Sequence, residues 1–171
     1  GLMLSRTQPR PADAPDLRLD ELQNPIIDAY LDALPEGVAP RIMGSRTAFV
    51  TENGDEAREL AQKGLRRQAE NHRASGQIVR GDTLDDYIRT FDVHLGTAAQ
   101  VTATLQADTA LARVTDLAFQ VHSIDPPHPY ILRSIELIAR HVAPALGWVR
   151  RTPQRSVSTS SANTSFSRET L

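Results

Sequence analysis

Residues 114–147 read VTDLAFQVHSIDPPHPYILRSIELIARHVAPALG, and no other stretch narrows the choice of folds as much. Val114, Leu117, Ala118, Phe119 and Val121 form a short, nearly continuous apolar run. That pattern belongs to a strand covered on both faces, as in a parallel sheet. His122 to Pro127 then supplies turn chemistry. From Pro129 onward Ile131, Leu132, Ile135, Ile138, Ala139 and Val142 recur at helical spacing, so they share one face of an amphipathic helix. Strand, polar loop and helix together make the half-unit of an α/β protein.

The chain has 171 residues, enough for one domain with a core. Aromatic residues are scarce at 5%, which fits a globular α/β segment carrying some unstructured sequence. A net charge of −2 creates no global field to recruit nucleic acid or anionic lipid. Cysteine is absent, which excludes disulfides and thiolate metal sites and fits a reducing, cytoplasmic setting. No apolar run approaches the roughly 20 residues of a membrane span. The first residues lack the basic-then-apolar pattern of a signal peptide.

Gly1 to Ser5 is an apolar run that starts abruptly, as a strand entered partway through a larger domain would. A processed terminus or tag remnant is the alternative source of that pattern. A proline-bearing polar loop, Gln8 to Arg18, follows. Leu19 to Leu34 has helical periodicity, and Pro25 places the helix start near Asn24, with Asn as N-cap and Pro as first helical residue. Arg41 to Thr51 is the next strand. Asn53 and Glu56 stand at capping-box spacing before a helix through Ala57, Leu60, Ala61, Gly64 and Leu65. Asn71 to Arg80 has no periodicity and reads as loop. Thr83 with Asp86, and Thr97 with Gln100, predict two more capped helices. Pro144 is expected to interrupt the last helix and start a separate final turn. Residues 149–171 are rich in Ser, Thr and Arg, bury too little apolar surface to offset chain entropy, and are expected to be a disordered tail.

Alternating strands and helices imply parallel pairing with right-handed crossovers. Three strands alone leave both sheet edges open. The sequence therefore predicts either a small three-layer sandwich or the last part of a (β/α)₈ barrel, and the abrupt first strand favours the barrel.

Four segments in order, GLMLSR, PRIMGSRTAFVTENGDEAREL, HLGTAAQV and the 114–148 unit, resemble the C-terminal part of luciferase-like flavin-dependent monooxygenases. The resemblance covers residues 1–148 and implies an α/β fold: the C-terminal portion, about three βα units, of a (β/α)₈ TIM barrel. It also implies reduced FMN as cofactor (or a related deazaflavin), oxidation of a small organic substrate with O₂, a separate flavin reductase as partner, and a homodimer. The earlier strands, where most flavin contacts are made in that family, have no counterpart here, so this chain alone is expected to bind flavin weakly and to be inactive.

Barrel active sites lie at the C-terminal ends of the strands. That rule selects Ser5 and Arg6, Thr51 and Glu52, and His122 and Ser123. Arg6 can pair with a flavin phosphate or a substrate carboxylate, or tie the loop to the barrel rim. Ser5 can donate a hydrogen bond to the cofactor or simply close its strand. His122 is the candidate proton donor near the flavin, against a structural role in the turn. His94 and His128 sit at element boundaries and read as caps or surface residues.

Other chemistries fit less well. The five histidines lack zinc-helix spacing, and neither a P-loop nor a dinucleotide-binding glycine pattern occurs. No interleaving of aromatic and basic residues points to nucleic acid. A non-catalytic α/β binding or scaffold fragment, and a barrel enzyme of another chemistry, are the competing readings.

Overall fold

The computed structural model describes residues 1–148; the predicted tail, 149–171, lies outside the described residues. Four strands, all parallel, form one sheet: β1 (Leu2–Leu4), β2 (Ile42–Val50), β3 (Val93–Gly96) and β4 (Asp116–Gln120). The helices are α1 (Leu19–Asp32), α2 (Gly54–Ala74), α3 (Leu84–Thr90), α4 (Ala98–Gln106) and α5 (His128–Leu137). After α5 the backbone widens into a π turn over Ile138–Val142 and closes with the short α6, Ala143–Ala145.

β2 is the hub of the sheet. Met43 is in register with both Met3 and Asp116, and Thr47 with both Val93 and Gln120. A residue in a ladder has one partner on each side, so β1 and β3 lie end to end along one edge of β2, and β4 occupies the other. Directly opposed residues share a face. One face therefore carries Leu2, Leu4, Ile42, Ala48, Val50, Leu117, Phe119 and Val121.

That face is buried beneath helices. Leu4 and Ile42 pack with Ile26, Ile27 and Tyr30 of α1. Ala48, Val50 and Val121 pack with Val101 and Leu105 of α4 and with Leu137 of α5. The opposite face holds Met3, Ser5, Met43, Ser45, Thr47, Asp116, Ala118 and Gln120, and it is open over most of its length: Met3 is 74% exposed. Only its C-terminal end is covered, where Phe49 and Val93 pack against Ala57, Ala61 and Leu65 of α2, Tyr87 of α3 and Phe91 just after it.

The two-sided arrangement follows from crossover handedness. The steps β1→β2 and β3→β4 run in one direction across the sheet, with α1 and α4 on the helix-covered face. The step β2→β3 runs back, and its helices lie on the other face. Reversing both direction and face preserves the hand, as parallel crossovers require. Leaving out that backward excursion, β1, β2 and β4 lie side by side in chain order with α1, α4 and α5 on one face. Thr51 N donates to Gly96 O at 3.1 Å, joining the two ends of the excursion.

Several local expectations need correction. The strand predicted at Val114 begins at Asp116 and is not covered on both faces, since Asp116 and Ala118 are exposed. Its large apolar residues, Leu117, Phe119 and Val121, belong to the helix-side face, and the run looks continuous only because the intervening Ala118, on the open face, is also apolar. α1 begins at Leu19, not near Asn24: Arg18 N donates to Glu21 Oε2 at 2.9 Å, and buried Asp20 accepts from Thr109 N and Oγ1. Pro25 is tolerated inside the helix because it is exposed, so the Glu21 carbonyl that loses its partner faces solvent. α2 continues to Ala74, into the predicted loop at Asn71. Asn53 does cap α2, accepting from Asp55 N, but Glu56 accepts from Tyr130 instead of completing a capping box. The boxes at Thr83–Asp86 and Thr97–Gln100 form as read. The last helix is disturbed one turn before Pro144, in the π turn that precedes the residue lacking an N–H.

β2 outlasts β4 at its C-terminal end, and a side chain takes over the ladder there. Buried Ser134 of α5 accepts from Val50 N at 2.9 Å. This satisfies a strand N–H that would otherwise be orphaned in the core.

Candidate functional site

The C-terminal ends of β1, β2 and β4 bring together Arg6, Thr47 and Ser123. Arg6 Nη1 donates to Thr47 Oγ1 at 3.2 Å, and Ser123 Oγ donates to the same oxygen at 3.4 Å. Thr47 is buried, while Arg6 and Ser123 are half-buried. Gln120, opposite Thr47 in register, places its amide nitrogen 3.0 Å from His122 Nε2. An amide nitrogen only donates, so that ring nitrogen accepts and the imidazole proton sits on Nδ1. His122 and Ser5 are exposed, and Ser5 Oγ is within 3.2 Å of Thr7 Oγ1. The structure thus groups Arg6 and Ser123 around Thr47, with His122 beside Gln120 one step along the rim. Thr51 and Glu52 do not join them: Thr51 donates to Asn53 O, and Glu52 is paired with Arg133.

Thr47 was not among the residues the sequence singled out. A trace of it was present, because Ser45 and Thr47 are polar positions of one parity in the strand, on either side of Arg46. Its partners, however, come from register across three strands.

Arg6 is distinctive in charge terms. Among the described residues it is the one partly covered arginine that enters no ion pair. Burial lowers its pKa, as expected of a cation removed from water without a counter-charge.

Arg6 also lines a cavity of about 1340 Å³ between the 7–18 loop and the α3–β3 segment. Neither Ser5 nor His122 reaches it. His94 does, and its protonation state is set by its neighbours. Thr104 Oγ1 donates its single proton to Val101 O, so it accepts from His94 Nδ1 at 3.0 Å. Burial pushes the His94 pKa down from 6.5 to about 4, Asp108 working to raise it and Arg46 to lower it. The sequence reading of His94 as a cap or surface residue is thereby replaced by a half-buried, neutral imidazole. Beneath the cavity Arg46 Nε donates to Asp108 Oδ2 at 2.6 Å with both side chains nearly inaccessible, and Arg46 Nη2 has no protein partner.

No protein-family model matches the chain, and no curated protein does. Among solved structures it is similar to the oxygenating constituent of 3,6-diketocamphane monooxygenase from the CAM plasmid of Pseudomonas putida, a type II Baeyer-Villiger monooxygenase in complex with FMN. The identity is 18% and the TM-score 0.52, over 84% of this chain and 47% of that one. The chain therefore spans about half the length of the structure it matches. No helix among the described residues is long and apolar enough to cross a membrane. What the comparison establishes is a shared mixed α/β fold with a parallel sheet.

Proposed function

We propose that this chain is the C-terminal part of a luciferase-like, FMN-dependent monooxygenase that oxidises a small organic substrate with O₂. The observation that carries the reading is the fold shared with an FMN-complexed monooxygenase over 84% of the chain. The arrangement of β1, β2 and β4 in chain order, with helices on one face, supports a section of (β/α)₈ barrel wall whose polar open face turns inward.

The residues present fit a flavin phosphate in one respect: Arg6 is a partly covered guanidinium without a carboxylate. Arg6 and Ser5 would hold the cofactor. Bound reduced FMN would supply the activation of oxygen. His122 would offer its Nδ1–H near the flavin as a hydrogen-bond donor, with Gln120 fixing the ring through Nε2. α2 and α3, covering the C-terminal end of the open face, would restrict water there. A flavin reductase would deliver the reduced cofactor, and the working form would be a homodimer.

The test is oxygen consumption by the gene product that carries this chain, supplied with FMN, NAD(P)H, a flavin reductase and a panel of small ketones. Substrate-stimulated consumption with oxygen incorporated into product is the expected result. Its absence with every reductase and ketone would overturn the reading.

A further inference from the structure

The walls of the cavity beside Arg6 carry five aspartates, and each has its own arginine. Asp16 pairs with Arg80, Asp20 with Arg18, Asp86 with Arg89, Asp92 with Arg10, and Asp108 with Arg46. Arg46 reaches Asp108 from outside the lining, so one lining arginine is left over. It is Arg6.

The orientation of that surplus charge is fixed from behind. Thr47 engages Nη1 at 3.2 Å, and Ser123 in turn holds the Thr47 hydroxyl at 3.4 Å. Nε and Nη2 make no hydrogen bond to the protein among the described residues. These two nitrogens form the side of the guanidinium fork that accepts a bidentate oxyanion. The remainder of the cavity is partly apolar, with Pro9, Pro11, Leu17, Ile78, Ile88 and Phe91 in its walls. At about 1340 Å³ it exceeds the roughly 300–1,000 Å³ of ordinary ligand clefts.

We infer that this cavity binds an organic anion with an apolar body and one anionic group, a phosphate monoester or a carboxylate, seated on Nε and Nη2 of Arg6. Thr47 and Ser123 act as positioning residues for that guanidinium. The inference deepens the part given to Arg6 in the flavin reading by naming the cavity and the charge it recognises. It does not depend on the ligand being a flavin.

Two matched probe pairs test it on the full chain by calorimetric titration: FMN against riboflavin, which lacks the phosphate, and octanoate against octanol. We expect at least one anionic member to bind about tenfold more tightly than its neutral partner, the scale of one charge-assisted contact. Arg6→Gln should abolish that preference, Arg6→Lys should retain part of it, and Thr47→Val should reduce it while leaving the charge in place. Thermal melts matched to the parent chain establish that each variant is folded. Absence of any anionic preference in both pairs, or a preference that survives Arg6→Gln, would overturn the inference. The pair that responds identifies the source. A response to octanoate alone upholds the cavity and removes the flavin, whereas equal binding of FMN and riboflavin, unaffected by Arg6→Gln and without an octanoate preference, refutes the cavity and leaves the flavin reading standing.

Discussion

Gly64 of α2 lies directly against the backbone of Ile124: a Cβ built at Gly64 would stand 1.7 Å from the Ile124 carbonyl oxygen. The contact clamps the middle of the excursion helix onto the turn after β4. The obstacle is main chain, so no rotamer change relieves it. Gly64→Ala should therefore destabilise the fold by about 3 kcal/mol, the upper range for overpacking a well-filled site. Urea unfolding checks the value. Gly37→Ala is no control, since its φ of +79° carries strain of its own; the exposed Ser75→Ala serves instead.

The Arg46–Asp108 pair predicts a second loss. Side-chain exposure is 1% for Arg46 and 9% for Asp108, so replacing the carboxylate leaves a buried guanidinium without its counter-charge. Asp108 also accepts from Ala110 N and Leu111 N, capping the turn that leads toward β4. Asp108→Asn should cost about 3–5 kcal/mol. Replacing both partners with apolar residues of similar volume should recover only part of that cost, because the Ala110 and Leu111 N–H groups lose their acceptor, a comparison made by equilibrium unfolding of the single and double variants.

Acid should weaken the fold in two stages. His94 has a pKa of about 4 in the folded chain against 6.5 as its ordinary value. The unfolded chain thus takes up the proton first. The His94 contribution is complete above pH 6.5 and declines as the pH falls toward 4. At Asp20 burial works to raise the pKa, but the hydrogen bonds from Arg18 and Thr109 outweigh it and hold the carboxyl well below the usual range. Its contribution is complete above about pH 4 and is lost as the pH falls further. The melting temperature should decline through both intervals. His94→Gln should flatten the upper interval and leave the lower one unchanged.

What could be read from the sequence was what is decided locally. Capping boxes at Thr83 and Thr97 need only neighbours three residues away, and both form. The α1 start is only partly local: Glu21 accepts from Arg18 N three residues away, but arginine is not a usual N-cap, and buried Asp20 is held by Thr109, which is remote in sequence. β3 has only four residues, too few for a periodicity, and it is a strand because β2 offers it an edge. The exposure of β4 depends on what faces it, which a run of apolar letters does not reveal. The strand-end rule selected Arg6 and Ser123, and both hydrogen-bond to Thr47. Thr47, which joins them, required the register of three strands. The surplus charge of Arg6 depends on how every other charge in the cavity wall is paired in space.

The hydrogen bond between Thr51 and Gly96 has a consequence for how such a chain can change over time. The polypeptide leaves β2 and returns to the head of α4 at nearly the same point. Everything between, including α2, α3 and β3, is a cassette whose two attachment points already touch. A short splice from Thr51 to Thr97 would yield an uninterrupted β2–α4–β4 unit, while longer or different cassettes could be seated at the same joint without altering the spacing of the scaffold. Diversity at the C-terminal rim can thus accumulate in this one segment while the strands beneath keep their register.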